Sequence, residues 1–354
     1  MHFNFQFLPK MKNFSRLALT VLACLGALSG CGGGGGGGDE ATPTTPPVVP
    51  TPDPPTTLTG NIWHSFSDLG NPAGTFVMNP NTGVSTAVQS EKWGVPSPDG
   101  SRFISNDYTS QGSSGETRLT VRKTDDKSLV VDQVVDGYIA RLAPSPLATN
   151  QVLAYWGETT AAPRAAVVWD FSAQKVLFAT PLSKTPDAVA WMPDGTLLRV
   201  QPSGGVSKVT PGGSEQQVAT VSWPESRLPQ AVYVSPDGSK ALVQLAALRS
   251  TGTVSGVDLW MMDANGANLK RFTNNGLIAE AYWSPDSKFV AFTKDTGVTC
   301  TDATCQGSCT VWYAPASATD VVAVDASGDA KKFPAKRPDG SMTDLRCPVM
   351  AWTR

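Results

Sequence analysis

Short apolar stretches, each long enough for one strand, recur from Thr59 to the end of the chain and are separated by polar turns. One unit repeats: an apolar stretch, the tetrapeptide Ser-Pro-Asp-Gly or a variant of it, and a second apolar stretch. The copies are VPSPDGSRFIS at Val95, LAPSPLATNQVLAYW at Leu142, VAWMPDGTLLRV at Val189, VYVSPDGSKALV at Val232 and AYWSPDSKFVAF at Ala281. The region has little of the 3.6-residue periodicity of amphipathic helices, so the pattern predicts an all-β fold.

The repeats are regularly spaced. The turn prolines lie 48, 47, 43 and 49 residues apart: Pro98, Pro146, Pro193, Pro236 and Pro285. A period near this length, built from short strands, is typical of the blades of a β-propeller. Proline and glycine supply the backbone angles of the turn, and aspartate accepts backbone hydrogen bonds there. We therefore expect the turn aspartates to be structural rather than catalytic: Asp99, Asp194, Asp237 and Asp286.

The Ser-Pro-Asp-Gly unit, with Trp or Tyr just before it, resembles the PD40 repeat, the WD40-like repeat of TolB-like β-propellers. The resemblance covers about Thr59 to Arg354 and is closest at Asp258 to Thr293. It implies a propeller. It does not imply the role of TolB, because TolB-like chains have an additional α/β domain that nothing here matches, and a lipid anchor is not part of their pattern.

The two ends of the repeat region complement each other. The last unit, CPVMAWTR, aligns Trp352 with Trp283 and supplies one innermost strand. Three further strands are expected near the start, in NIWHSF, GTFVMNP and VSTAV. Pairing of these strands completes a sixth blade and removes exposed sheet edges. We predict a six-bladed propeller over residues 59–354, closed by pairing of the N-terminal strands with the C-terminal strand.

The fifth blade has the longest connection between its second and third strands. We assign the third strand to DVVAVDASGDAKKFP at Asp320, which echoes DLWMMDANGANLKRFT at Asp258. This assignment makes Lys294 to Thr319 a loop, about twice as long as Ala246 to Val257 in blade four. Such connections emerge on the same face of a propeller as the links between blades, near the mouth of the channel.

Four cysteines fall at this place: Cys300, Cys305, Cys309 and Cys347. The first three lie in the expected loop, and the fourth begins the next innermost strand, so we expect them to be neighbours. An exported protein enters an oxidising compartment, which favours two disulfides. Four cysteines allow three pairings, and the sequence does not choose among them. Zinc is the rival interpretation, but the spacing matches no paired zinc motif and no histidine helps. No metal and no cofactor is predicted.

The first thirty residues have the pattern of a signal peptide. Basic residues precede an apolar run, Leu17 to Leu28, that ends in Leu-Ser-Gly before Cys31. This segment resembles the lipobox of bacterial lipoproteins, which implies cleavage before Cys31 and attachment of lipid to its thiol. Met11 begins a complete shorter signal and is an alternative start. The interpretation thus gives a signal peptide over 1–30 and a membrane anchor at Cys31.

A tether is predicted over 31–58. Seven glycines follow Cys31, and Ala41 to Thr57 consists almost entirely of Pro and Thr with a few Val. Neither stretch buries enough apolar surface to fold, and the Pro-rich part prefers an extended polyproline II conformation. By resemblance to Gram-negative lipoproteins, Gly32 rather than aspartate after the anchor implies the outer membrane, with the propeller in the periplasm or at the cell surface.

Charge and histidine content restrict the classes of function that fit this chain. The chain after the signal keeps 25 of its 28 basic residues and all 30 acidic ones, so its net charge is −5. This balance argues against a nucleic-acid partner. His64 is the one histidine that remains, and its apolar strand pattern predicts a structural position. One histidine is too few for a multi-histidine metal site and gives little basis for Ser-His catalysis, so no catalytic residue is assigned.

These observations favour an envelope-anchored module that binds an envelope protein or a small ligand at one propeller face. The alternative is a propeller enzyme of lyase, lactonase or cyclase type, which would use carboxylates or a metal in the channel. A third interpretation is a purely structural assembly factor.

Substitution Cys31→Ser tests the anchor. The thiol forms the thioether, so we expect this variant to remain an uncleaved or unlipidated precursor by mass spectrometry and to take up no fatty-acid label. The matched variant Cys24→Ser changes a cysteine inside the signal core and should be lipidated like the wild type. Acyl groups on the Cys31→Ser protein would contradict the assignment.

Overall fold

The structure is a computed structural model, which describes residues 57–65, 74–89, 94–111, 114–158, 164–248, 254–301, 304–325 and 328–354. For the strand residues at 110–114 and 296–308 the description is of the backbone. The predicted signal peptide, Cys31 and the tether up to residue 56 lie outside these ranges.

Six four-stranded antiparallel sheets form the blades of a propeller. The chain begins with three strands of blade 6: β1 (Asn61–His64), β2 (Thr75–Met78) and β3 (Ser85–Gln89). Blade 1 contains β4 (Val95–Pro96), β5 (Arg102–Gln111), β6 (Ser114–Lys123) and β7 (Leu129–Asp136). Blade 2 contains β8 (Tyr138–Pro144), β9 (Gln151–Gly157), β10 (Ala165–Asp170) and β11 (Lys175–Ala179). Blade 3 contains β12 (Ala188–Trp191), β13 (Leu197–Val200), β14 (Gly205–Val209) and β15 (Glu215–Thr220).

The remaining blades follow in the same order. A single 3₁₀ turn in the described chain, Pro224–Ser226, precedes blade 4. Blade 4 contains β16 (Leu228–Val234), β17 (Lys240–Leu248), β18 (Val254–Asp263) and β19 (Lys270–Arg271). Blade 5 contains β20 (Ile278–Trp283), β21 (Phe289–Thr301), β22 (Thr304–Pro315) and β23 (Lys331–Lys332). A two-stranded hairpin, β24 (Pro334–Lys336) and β25 (Met342–Asp344), leads to β26 (Val349–Thr353), the innermost strand of blade 6.

The ring is closed by the two ends of the fold. Strand β26 pairs antiparallel with β1, with Trp352 opposite Ile62 and Ala351 opposite Trp63. The sheet order β26-β1-β2-β3 is the one that the sequence predicts for blade 6. The prediction of an all-β, six-bladed propeller closed by its N- and C-terminal strands is confirmed.

The start of the propeller lies slightly earlier than the repeat pattern indicates. Leu58, which the sequence analysis places at the end of the tether, is 5% exposed and packs in the core between blades 5 and 6. Its backbone N–H donates to Asn81 Oδ1, and Asn81 Nδ2 donates to the Leu58 carbonyl oxygen, both at 2.8 Å. Leu58 therefore belongs to the folded propeller.

The assignment of the third strand of blade 5 is wrong. That strand is β22, and β21 and β22 pair along their length, with Cys300 opposite Cys305. The segment expected to be a loop is thus a long hairpin. The reason is local: Val311, Trp312 and Ala314 are buried, and a tight hairpin brings them to β21 at a lower entropic cost than a long loop.

The segment at Asp320, expected to be that third strand, lies beside blade 4. Val321 and Ala323 are buried while Val322 and Val324 are exposed, so its alternating pattern does reflect one buried face. Its described pairing is a parallel bridge between Val321 and Thr273. The sequence similarity of this segment to DLWMMDANGANLKRFT of blade 4 therefore reflects its half-buried position. It does not make the segment a strand of the blade 5 sheet.

The turn aspartates have the structural function that the repeat predicts. Asp194 Oδ1 accepts hydrogen bonds from the Thr196 N–H at 2.9 Å and the Thr196 hydroxyl at 2.6 Å, which lowers the pKa of Asp194. The other members each accept the N–H two residues later in the same way: Asp99, Asp237 and Asp286. These carboxylates are engaged in hydrogen bonds within the turns that precede the second strands of blades 1, 3, 4 and 5.

Tryptophans link neighbouring blades. Trp191 Nε1 donates to the Ala143 carbonyl oxygen at 2.8 Å, and Trp283 Nε1 donates to that of Tyr233 at 3.0 Å. In each pair, an innermost strand is bonded to the innermost strand of the preceding blade. The two indole rings thus combine apolar packing with a hydrogen bond that fixes the spacing of the strands around the channel.

His64 is a core residue of blade 6. The side chain is fully buried, lies 3.0 Å from Ser85 Oγ and stacks on Phe76 with ring centroids 5.6 Å apart. Burial lowers the pKa of His64 from 6.5 to about 4. The unfolded chain therefore binds a proton at a higher pH than the folded protein does, and acid favours unfolding through this group.

We expect the free energy of unfolding to fall by about 3 kcal/mol through this residue between pH 6.5 and 4, from the shift in its pKa. Substitution His64→Gln removes the titrating group, so the variant should lose that part of the pH dependence in urea unfolding curves. The carboxylates titrate alike in both proteins and serve as the internal reference. Equal slopes for both proteins over this interval would contradict the assignment.

Candidate functional site: the central channel

The innermost strands of the six blades surround a cavity of about 780 Å³ in the central channel. Apolar side chains and strand backbone make up most of its wall, including Val189, Val232 and Trp283. This volume falls within the range of small-molecule sites, roughly 300–1,000 Å³, and such sites are mostly apolar with a few placed polar groups.

Irregular backbone shapes the wall of the cavity. The pairing registers shift in the innermost strands of four blades, so each of these strands carries a β-bulge. A bulge leaves a residue unpaired and changes the direction of its side chain. In blade 2 the irregularity lies between Ala140 and Ala143 and contains Arg141.

Arg141 is the cation of the channel wall. Its backbone has a φ of +50°, in the left-handed region that is strained for residues other than glycine. Nη1 donates to the Gln230 carbonyl oxygen at 3.0 Å, and the guanidinium carbon lies 5.8 Å from the centre of the Tyr155 ring. Arg141 is exposed, lines the cavity and forms no ion pair within the described part of the chain.

Glu280 is the anion of the channel wall. The Tyr282 hydroxyl lies 2.6 Å from Glu280 Oε2 and 2.7 Å from the Val349 carbonyl oxygen, so its one proton serves two acceptors. Burial raises the pKa of both Tyr233 and Tyr282, and the carboxylate of Glu280 raises both further. The tyrosines therefore remain protonated at neutral pH, and Glu280 Oε1 has no hydrogen-bond partner among the described residues.

The two charges occupy equivalent positions in opposite blades. Arg141 lies five residues before the turn proline of blade 2, and Glu280 lies five residues before that of blade 5. Blades 2 and 5 are three apart in a ring of six, so the backbones of the two residues lie on opposite sides of the channel. The guanidinium of Arg141 extends to blade 4, where it donates to the Gln230 carbonyl oxygen. Equivalent positions in three other blades are apolar: Ala188, Ala231 and Val349.

Polar side chains of the second strands hold the innermost strands in place. Asn106 Nδ2 donates to the Ile139 carbonyl oxygen of the next blade at 2.7 Å. Gln244 Nε2 donates likewise to the carbonyl oxygens of Ile278 at 2.9 Å and Ala279 at 2.7 Å. These hydrogen bonds cross the blade boundary next to the bulges and hold the backbone beside Arg141 and Glu280.

The cysteines lie at one end of this channel. A disulfide joins Cys309 of β22 to Cys347, which are 38 residues apart and have a Cα–Cα distance of 5.5 Å. Pro348, the residue after Cys347, lines the cavity. Cys300 and Cys305 are direct backbone partners in the β21–β22 hairpin, and their side chains lie outside the described residues. Oxidation of all four cysteines stays a prediction.

Sequence reasoning did not single out Arg141 or Glu280. A signal was present, because IARLAP and IAEAYW each place one charge at the same point of an apolar strand. Within the described ranges, no cluster of three or more His, Cys, Asp or Glu side chains has the arrangement of a metal site. No helix in the same part of the chain is long and apolar enough to cross a membrane.

Comparison with known proteins relates this chain to other propellers by structure alone. No protein-family model matches it, and no curated protein matches it. A protein assigned as TolB from Agrobacterium tumefaciens is 16% identical, with 83% of this chain and 100% of that chain covered and a TM-score of 0.46. A protein assigned as a 6-phosphogluconolactonase from Bacteroides uniformis is 13% identical, with 80% and 88% covered and a TM-score of 0.45. Oligogalacturonate lyase from Vibrio parahaemolyticus is 10% identical, with 62% and 68% covered and a TM-score of 0.43.

Alkylation under denaturing, non-reducing conditions tests the cysteine prediction. We expect none of the four cysteines after Cys31 to be labelled in exported protein, and two or more free thiols would contradict this expectation. Replacing Cys309 and Cys347 together by Ser should lower stability by about 3–4 kcal/mol, because that bridge closes a loop of 38 residues.

The matched double variant Cys300→Ser with Cys305→Ser provides the comparison. A bridge between these near neighbours would close a much shorter loop, so its loss should cost about 2 kcal/mol or less by the same relation. Urea unfolding of both double variants measures the difference. Equal losses, or a larger loss for the second pair, would mean that the Cys309–Cys347 bridge does not hold the hairpin to blade 6 as described.

Proposed function

We propose that the protein is an envelope-anchored lipoprotein whose propeller binds a small ligand in the central channel. The observation that carries the proposal is the cavity of about 780 Å³, with one arginine and one glutamate in a largely apolar wall. The cavity has the size and composition of a ligand site. Hydrogen bonds to other blades hold Arg141 and Tyr282, the partner of Glu280, in place.

The backbone of Arg141 supports a binding function. A left-handed backbone angle at a non-glycine residue costs of order 1–3 kcal/mol and persists only where surrounding contacts enforce it. Here the bulge places a guanidinium in the channel, where it contacts a carbonyl oxygen and an aromatic ring and retains free donors. A purely structural strand would be more stable with an apolar residue at this position, as blades 3, 4 and 6 have.

The enzyme alternative finds less support in the channel. Glycoside hydrolysis, for example, uses two carboxyl groups in most enzymes, one as acid and one as base or nucleophile. Glu280 is the sole carboxylate among the described residues that line the cavity, and it is bonded to Tyr282. Binding needs only complementary charge and shape, which the cavity provides.

The proposal also includes the location of the protein at the outer membrane. Cys31 anchors the chain to the outer membrane of a Gram-negative bacterium, and residues 32–57 separate the anchor from the propeller, which lies in the periplasm or at the cell surface. The support is the lipobox, the glycine after Cys31 and the Pro/Thr-rich spacer. An envelope protein that docks over the channel mouth would form a second partner, and the long hairpins of blades 1, 4 and 5 offer contacts there.

Filling the channel tests the ligand site. Ala279 is exposed to the cavity, so Ala279→Trp should occupy part of it, whereas Ala173→Trp adds the same ring to an exposed outer turn. A panel of neutral, anionic, cationic and zwitterionic metabolites is added to the full chain in detergent. We expect at least one class to raise the melting temperature by several degrees in the wild type and Ala173→Trp, and not in Ala279→Trp.

The controls make the outcome decisive. Each variant must melt cooperatively in the absence of added compound, which separates a blocked channel from a damaged fold. A compound that stabilises the Ala279→Trp protein as strongly as the wild type binds elsewhere. If every stabilising compound behaves in that way, or no compound stabilises the wild type, the proposed function is wrong.

A further inference from the structure

Two opposite charges share the cavity without neutralising each other. Among the described residues, neither Arg141 nor Glu280 has an ion-pair partner, although both line the same cavity. Both residues are exposed, so both charges are accessible to a ligand that enters the cavity. Arg141 donates to one carbonyl oxygen, and Glu280 accepts from one tyrosine hydroxyl.

Hydrogen bonds hold each of the two groups to another strand of the wall. Arg141 and Glu280 belong to blades 2 and 5, and the guanidinium of Arg141 reaches the innermost strand of blade 4, where it donates to the Gln230 carbonyl oxygen. Tyr155 lies beneath the guanidinium, and Tyr282 is bonded to the carboxylate and to the neighbouring strand of blade 6. The cavity wall therefore presents one cation and one anion, and neither is neutralised by an ion pair within the described residues.

We infer that the channel binds a small zwitterion of the amino-acid or short-peptide class, whose carboxylate pairs with Arg141 and whose ammonium group pairs with Glu280. This inference rests on the proposed function and names the ligand class of that site. A ligand with both charges supplies the two missing counter-ions at once, and the apolar wall accommodates the side chains between them. A guanidinium binds a carboxylate through parallel N–H donors, and a carboxylate oxygen accepts from an ammonium group.

A peptide series separates the two charges experimentally. The probes are peptides of one to five residues with free termini, and for the best length the N-acetylated, C-amidated and doubly blocked forms. Isothermal titration calorimetry on the full chain in detergent measures each affinity. We expect the free peptide to bind best and each blocked terminus to weaken binding about 10- to 100-fold, the range for a charged hydrogen-bonded pair.

Variants assign each terminus to its residue. In Arg141→Gln, C-amidation should no longer weaken binding, while N-acetylation should still do so. In Glu280→Gln the pattern should be reversed. Two matched substitutions at exposed positions that do not line the cavity, Arg337→Gln and Glu158→Gln, change the net charge equally and should leave the affinities unchanged. This double-difference design distinguishes direct pairing from a general effect on the fold.

The outcomes that overturn the inference are distinct from those that overturn the channel site. A doubly blocked peptide that binds as tightly as the free one excludes pairing with both termini. If no peptide binds, while another compound stabilises the wild type and not Ala279→Trp, the zwitterion inference is wrong and the channel site stands. If no peptide and no other compound binds, both are wrong.

Discussion

The antiparallel pairing of β26 with β1 is the interaction on which the rest of the propeller depends. The innermost strand of blade 6 comes from the end of the chain and the other three from its start, so this one pairing closes the ring. Without it two sheet edges would be exposed, and the sixth wall of the channel would be missing. The pairing also brings Cys347 beside the long hairpin of blade 5, where a covalent bridge to Cys309 secures it.

Closure explains how a cavity with charged groups is compatible with a stable fold. The innermost strands contribute backbone to the channel, and bulges interrupt their pairing. Asn106 and Gln244 donate to their carbonyl oxygens from the second strands of the preceding blades, and the indoles of Trp191 and Trp283 add further links. Because each strand is held from both sides, the ring tolerates the strained backbone of Arg141 and the partly satisfied carboxylate of Glu280.

The blades could be predicted because local sequence patterns mark their turns and strands. The third strand of blade 5 and the cysteine pairing could not, because both depend on contacts between distant residues. The Ser-Pro-Asp-Gly turns fix where second strands begin, which is why the blade number and the closing strands were correct. Blade 5 misled the assignment because Asp320 to Asp325 alternates like a strand, yet sheet membership depends on hydrogen-bond partners that alternation does not specify. The pairing of Cys309 with Cys347 depends on the register of β22, which only the fold determines. Arg141 and Glu280 could have been identified from the sequence, since each is a lone charge at one position of the repeat, but only the fold places both on the wall of one cavity.

Blade 6 is built from both ends of the fold, and this has a topological consequence. Trp352 Nε1 donates to the Thr59 carbonyl oxygen at 2.8 Å, so the last strand and the first residues of the fold are already adjacent. A circular permutant that joins Arg354 to Thr57 through a short linker, and opens instead at an exposed turn such as the one at Lys127, would retain every sheet of the ring. In such a ring the order of the blades is cyclic, and which blade comes first is a property of the polypeptide and not of the architecture.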